Sequence, residues 1–230
     1  MSVSILLPSI GREKRLKQLL HDIEQEVADV GAEIVLVFDE SERGLYNDLE
    51  DRYTVFYTDT VGYWRCLNIA MYIAVHETIL WTADDIKPQR GWLKAGLACF
   101  RSRFPNGLGM VCMNDLLVYD QTCGHAITTK KFMGVIFEDS KFPDDFEHLY
   151  LDTMVCNRAK ELNRYHFCIE AITEHIHYKS GKIEQDKTSL KNEARARANK
   201  DKLIKDTHDR EWYSHGLGEA RNRLVAMEAK

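Results

Sequence analysis

The chain lacks any apolar run long enough to enter a membrane. Its first run, Ile5 to Leu7, stops at Pro8 and gives way to charged residues. That is far short of a signal-peptide core or of the roughly 20 residues a membrane span needs, and no later segment is long enough either. The six cysteines (Cys66, Cys99, Cys112, Cys123, Cys156 and Cys168) include no C-x-x-C pair and no zinc-type spacing. Several lie in apolar runs, as buried free thiols do, so the expected setting is a reducing cytoplasm. An excess of positive charge is also missing. The formal net charge is −5, whereas general affinity for nucleic-acid phosphates needs clustered positive charge. No internal repeat is visible, and residues 11–12 are only a meagre version of a Gly-rich, basic phosphate loop.

What is present is enough for one domain. A chain of 230 residues that is 44% apolar can bury a substantial core. Strand and helix signals alternate through the first half. Val3 to Leu7, Ile34 to Phe38, Tyr53 to Tyr57 and Thr78 to Trp81 read as strands. Leu16, Leu19, Leu20, Ile23 and Val27 recur at helical spacing, and Cys66 to Val75 and Gly91 to Phe104 read as further helices. Repeated βα units predict a mostly parallel sheet flanked by helices on both faces. In the second half, Leu108 to Met113 and Phe132 to Phe137 are expected as strands, Asp145 to Leu162 as a helix, and Cys168 to Tyr178 as extended chain. The expected organisation is a domain over 1–185, with halves 1–105 and 106–185, and a charged helical tail over 186–230 that packs on the domain or mediates self-association.

In an open α/β sheet, ligands bind at the carboxyl ends of the strands. Those ends carry Pro8-Ser9, Asp39-Glu40 and Asp84-Asp85, so three polar clusters are expected at one edge. Two adjacent carboxylates such as Asp84 and Asp85 suit a hard divalent cation, with a diphosphate providing further oxygens. A solvated turn is the equal alternative for that pair alone. Asp39 could accept a hydrogen bond from a nucleotide base or simply cap a turn, the commoner role for Asp. Arg12, Arg65 and Asn68 approach the same edge from loops and helix starts. An arginine there offers bidentate contacts to phosphate, although each residue alone reads as ordinary surface. Asp152 has Leu149, Leu151, Met154 and Val155 around it. Desolvation by such neighbours raises a carboxyl pKa and suits a general base; the plainer reading is an exposed helix residue like Asp139, Asp144 and Asp145. His175 and His177 share one face of an extended segment and read either as metal ligands or as structural histidines.

The order of these elements resembles the family-two glycosyltransferases of GT-A fold. Val3-Ser-Ile-Leu-Leu-Pro-Ser-Ile-Gly-Arg12 is similar to the family's opening strand and loop, and Ile34-Val-Leu-Val-Phe-Asp-Glu-Ser41 to its second strand and acidic turn. Gly62, Arg65, Asn68 and Ala74 resemble the stretch leading into the metal strand. Ile79-Leu-Trp-Thr-Ala-Asp-Asp85 resembles the strand carrying D-x-D, Leu151-Asp152 the acidic pair with the catalytic base, and Glu174-His-Ile-His177 a metal-binding histidine region. The Pro-Ser-x-Gly-Arg opening is similar to that of virus-encoded members.

The resemblance spans roughly residues 3–188. It implies an α/β GT-A domain that moves sugar from a nucleoside-diphosphate donor, a UDP-sugar first among candidates, to an acceptor hydroxyl. It further implies Mn2+ or Mg2+ on Asp85 with His175 or His177, donor contacts from Pro8, Ser9, Arg12, Asp39, Arg65, Asn68 and Asp84, and Asp152 as an inverting base. The chain departs from the pattern at Phe38, Glu40, Ala83 and Leu151. Ala83 replaces the first Asp of D-x-D, which leaves a catalytically silent binding module as one alternative. A nucleotidyltransferase acting on sugar phosphates is the other. The carboxyl-terminal helices are a candidate surface for a homo-oligomer.

Overall fold

Alternation along the strands sorts the apolar side chains into two layers. The computed structural model describes every residue except 1, 61, 147, 177, 179, 180, 182, 183, 186, 188, 189, 191–199 and 230. Strand β1 (Val3–Ser9) sends Val3, Ile5 and Leu7 to one face and Leu6 to the other. Strand β2 (Glu33–Asp39) divides Ile34, Leu36 and Phe38 from Val35 and Val37 in the same way, as the two-residue period of a strand requires.

The first face is covered by helix α1 (Glu13–Val30), which buries the five apolar residues expected from its spacing, and by α4 (Trp92–Arg103). Helix α1 stops at Gly31, whose φ of 62° is left-handed. The Ala32 N–H then reaches back to Val27 O at 3.0 Å, a Schellman closure. The second face is covered by α3 (Tyr63–Ile73), α5 (Lys130–Ile136) and α6 (Leu151–Glu161); the short helix α2 (Asn47–Glu50) leads into β3 (Thr54–Thr58).

The sheet also contains β4 (Thr78–Trp81), β5 (Ile86–Pro88), β6 (Met110–Asn114), β7 (Ala126–Thr129) and β8 (Tyr165–His175). Its order is β3-β2-β1-β4-β7-β6-β8-β5. The run β3-β2-β1-β4 is wholly parallel, and β6 is parallel to β8. Strand β7 runs antiparallel to β4 and β6, and β5 antiparallel to β8. The parallel βα half is therefore joined to a mixed half, with helices on both faces as expected.

The second half departs from the sequence reading in three places. Phe132 to Ile136 is helical, not a strand. A short apolar run fits either state, and here the Thr129 hydroxyl caps the helix by accepting the Phe132 N–H at 3.0 Å. The strand is instead the preceding Ala126–Thr129. The helix expected from Asp145 begins only at Leu151, because residues 148–149 are tied elsewhere and Tyr150 has a φ of 67°. The extended segment expected from Cys168 starts at Tyr165. None of the described helices is long and apolar enough to cross a membrane, and all six cysteines are free thiols.

The helices after residue 199 join the core. Helix α7 (Lys200–Glu211) passes through a π-helical turn at Trp212–Gly216 into α8 (Leu217–Glu228). Trp212, Ala220 and Leu224 are buried in the second layer. The buried Arg158 guanidinium lies 4.4 Å from the Trp212 ring and 4.9 Å from Phe137. Buried Asp201 on α7 accepts the backbone N–H groups of His148 at 2.9 Å and Leu149 at 2.7 Å, fixing the approach to α6. Asp201→Ala orphans both donors. The expected loss is about 1–3 kcal/mol of unfolding free energy, read from urea denaturation, with the urea m-value unchanged.

Candidate functional site

The register of β1 against β4 builds the acidic centre. Leu6 is paired with Trp81, and the ladder is extended by Thr82 N–H donating to Leu6 O at 3.1 Å. Three residues farther along both segments, the Ser9 hydroxyl donates to Asp84 Oδ2 at 2.5 Å. Ile79, Leu80 and Trp81 are wholly buried, and they carry the following turn into the protein: Asp84 and Asp85 are only 4% and 8% exposed.

Two buried carboxylates side by side need positive partners. Arg12, just before α1, donates from Nη1 to Asp84 Oδ1 at 2.8 Å and to Asp85 Oδ2 at 3.0 Å. His175 arrives through the other ladder. It is paired with Ile86 across β5 and β8, its N–H donates to Asp115 O at 2.9 Å, and the next N–H, of Ile176, donates to Asp85 O at 2.7 Å. His175 Nε2 then lies 3.4 Å from Asp85 Oδ1. That is an ion-pair contact and not a well-formed hydrogen bond, so Oδ1 is buried with no hydrogen bond among the described residues.

The electrostatics separate the two aspartates. Burial and the neighbouring Asp85 charge raise the pKa of Asp84 against the pull of Arg12 and Ser9. Burial also works against ionised Asp85, but His175 and Arg12 overcome it and hold its carboxyl well below the ordinary range. Burial lowers the His175 pKa, yet Asp85 more than reverses this and the net shift is upward.

Several neighbours were not expected from the sequence. Buried His125 has Nδ1 3.1 Å from the Thr82 hydroxyl, and its ring is 5.7 Å from that of His175 at 84°. Burial pushes its pKa down to about 4, so it is a neutral imidazole at neutral pH. Asp115 accepts the backbone N–H groups of Leu117, Val118 and Tyr119 on Oδ1 at 2.9–3.0 Å, shaping the loop after β6. The Tyr63 hydroxyl donates to Thr82 O at 2.9 Å. Burial raises its pKa, and the charges of Asp85, Asp84 and Asp152 add to the rise. Nothing in the sequence signalled these residues, because their roles arise from turns and from strand neighbours distant along the chain.

Asp152 lies in the first turn of α6 and is partly buried. Desolvation raises its pKa, opposed by the Thr153 N–H and the hydroxyls of Thr122 and Thr153. Asp144 is ion-paired to Lys141 at 2.6 Å, and Asp145 Oδ2 lies 2.9 Å from His208 Nε2.

Other residues singled out by sequence land differently. Asp39 caps the turn at Glu40–Glu42, its Oδ1 accepting the Ser41 N–H at 2.9 Å. Glu42, the partner of the Gly11 N–H, adds another carboxyl near Asp39 and Asp84, with its pKa raised first by burial. Pro8 is buried within β1. Asn68 uses both ends of its amide on the 142–144 loop, donating to Phe142 O and Asp144 Oδ1 and accepting the Phe142 N–H. Arg65 Nε donates to Asp144 O at 2.5 Å. These hydrogen bonds of both residues thus run to the 142–144 loop. His177 lies outside the described residues.

The donor set fits a hard divalent cation. Such ions take carboxylate oxygens, and two ligand atoms about 2.1 Å from one octahedral ion at right angles are about 3 Å apart. The orphaned Asp85 Oδ1 and His175 Nε2 have nearly that separation. Among the described residues the three-ligand group is elsewhere, at Cys99, Cys168 and Glu170.

No protein-family model matches the chain, and no curated protein matches it. Solved structures do. TarS 1-349 of S. aureus aligns over 75% of this chain with a TM-score of 0.58 at 16% identity. The chain spans 59% of that protein's length. The mannosyltransferase PcManGT from Pyrobaculum calidifontis aligns over 99% of this chain and 75% of its own, with a TM-score of 0.58 at 15% identity. The fold is of the GT-A type. TarS 1-349 has been solved with UDP and with UDP-GlcNAc, and PcManGT with GDP-Man and Mn2+. The similarity to virus-encoded members has no counterpart in these two neighbours.

The His175–Asp85 contact has a pH signature in the metal-free protein. A histidine whose folded pKa is above its ordinary 6.5 adds stability that is full below 6.5 and is lost as pH rises through the folded value. His125 and His166 are shifted the other way and contribute no such loss. Thermal unfolding from pH 6.5 upward is expected to show a decline in the wild type that His175→Gln flattens.

Proposed function

We propose that this chain is a metal-dependent glycosyltransferase that uses a nucleoside-diphosphate sugar, with a UDP-sugar as the first candidate donor. The observation that carries this is the joint placement of Asp84, Asp85 and His175 at the strand ends. The GT-A fold and the nucleotide-sugar and Mn2+ complexes of its neighbours support the same reading.

Asp85 and His175 would hold Mn2+ or Mg2+, and the bound ion would neutralise charge growing on the departing diphosphate. Asp39 and Ser9 line the same edge, Asp39 on the side of the base and Ser9 holding Asp84. Asp152 takes the proton from the acceptor hydroxyl as its oxygen bonds to the anomeric carbon. The bond from that carbon to the diphosphate oxygen breaks, and the electron pair leaves with the nucleoside diphosphate. A base on the face opposite the leaving group gives inversion. The raised pKa of Asp152 brings it toward the range in which a carboxylate accepts a proton effectively.

The test is incubation with a panel of UDP- and GDP-sugars and Mn2+, measuring nucleoside diphosphate release. Release supports transfer or donor hydrolysis. Pyrophosphate release would point to nucleotidyl transfer, and binding without turnover on any acceptor to a silent module in which Ala83 marks the lost carboxylate. Asp85→Ala should abolish Mn2+-dependent UDP binding in calorimetry with the fold intact. With donor and acceptor in hand, Asp152→Asn should keep donor affinity and lose about two to four orders of magnitude in turnover. Near-normal turnover would remove Asp152 from the mechanism.

A further inference from the structure

Arg12 occupies the place in this site where a cation is needed most. Its Nη1 bridges the two aspartates, at 2.8 Å from Asp84 and 3.0 Å from Asp85, and its side chain is only 12% exposed. Arg12 precedes α1, and its side chain makes no capping bond to that helix, so moving the side chain leaves the helix start intact. The surroundings are strongly acidic: besides Asp84 and Asp85, the carboxyls of Glu42 and Asp39 bear on one another here. A divalent cation at Asp85 Oδ1 would place two positive groups on the two oxygens of one buried carboxylate, where low polarity makes like-charge repulsion severe. The guanidinium therefore competes with the metal, and it has a reason to leave only when an anion arrives to receive it. A diphosphate is such an anion, and Arg is suited to bind phosphate bidentately.

Resting on the glycosyltransferase reading, we propose that Arg12 is the site's resident counter-cation, displaced from Asp85 when diphosphate and metal enter together, so that the two ligands bind as one coupled event. By linkage, the factor by which UDP strengthens metal binding equals the factor by which metal strengthens UDP binding.

The test is calorimetric titration of Mn2+ into the full chain, with and without saturating UDP. The wild type is expected to bind Mn2+ at least tenfold more tightly with UDP present. Arg12→Gln should raise UDP-free Mn2+ affinity at least tenfold and lower the UDP enhancement by a similar factor, leaving the part that comes from phosphate contact with the ion. Arg12→Gln alone leaves two buried carboxylates under-compensated, so the double variant Arg12→Gln/Asp84→Asn is titrated too. It retains Asp85 and restores the wild-type net charge, and it should also bind Mn2+ more tightly than wild type without UDP, which a general charge effect would not produce. Thermal unfolding verifies that each variant is folded.

Variants that bind Mn2+ alone no better than wild type overturn the role of Arg12, even if UDP and Mn2+ still bind the wild type and the glycosyltransferase reading survives. Failure of UDP to bind under any condition counts against that reading, while the UDP-free Mn2+ comparison still decides the competition. Absence of Mn2+ binding in every protein overturns both.

Discussion

Two adjacent carboxylates are held almost out of water at the end of a wholly buried strand. Ionised groups in that position are strongly disfavoured unless opposite charge and hydrogen bonds surround them, and much of the site answers that demand. Ser9 reaches Asp84 from the next strand, Arg12 bridges the pair, and His175 is delivered to Asp85 by the β5–β8 ladder. Ser9 and Arg12 come from the end of β1 and the turn that follows it, and His175 from the opposite end of the sheet. The sheet order, which brings β1 beside β4 and β8 beside β5, is therefore what makes the acidic pair tolerable.

The same constraint divides the labour between the aspartates. Asp84 is saturated by Ser9 and Arg12. Asp85 keeps one buried oxygen without a hydrogen bond, turned toward an imidazole. The two aspartates are thereby set apart: Asp84 is fully hydrogen-bonded, and Asp85 keeps the oxygen that the proposed cation would take. Beside them, the Tyr63 hydroxyl holds the Thr82 carbonyl, and the Tyr63 ring lies 6.1 Å from that of His148 in the loop before the helix that carries Asp152. The loop before that helix is held from the far end of the chain by Asp201. The carboxyl-terminal helices thus support the geometry of the site as well as the second apolar layer.

The sequence was most legible where a single period dominates. The apolar runs of β1, β2 and β4 and the five buried positions of α1 could be read directly, and with them the convergence of Ser9, Asp39 and Asp84-Asp85 on one edge. Legibility failed where one apolar run suits two states, as at Phe132 to Phe137, where the cap at Thr129 decided for helix. The hydrogen bonds of Asn68 to a loop 74 residues away were not legible either, because they depend on a tertiary approach that no local pattern encodes. His125 and Asp115 carried no signal, because a lone histidine before a strand and a lone aspartate after one gain meaning only from the neighbours the sheet gives them. His175 could be read from its pattern, but its contact with Asp85 follows from strand pairing that no local spacing reveals.

A cation site shared by Asp85 and His175, at the edge proposed to bind the nucleotide, is the centre of the proposed mechanism. Anomalous diffraction at the manganese edge, from crystals of the chain soaked with Mn2+ and UDP, locates that ion without reference to activity. The expected result is one strong peak within bonding distance of Asp85 Oδ1 and His175 Nε2, with UDP phosphate density completing the coordination. A peak at Cys99, Cys168 and Glu170 alone, or UDP ordered away from the ends of β1 and β4, would contradict it.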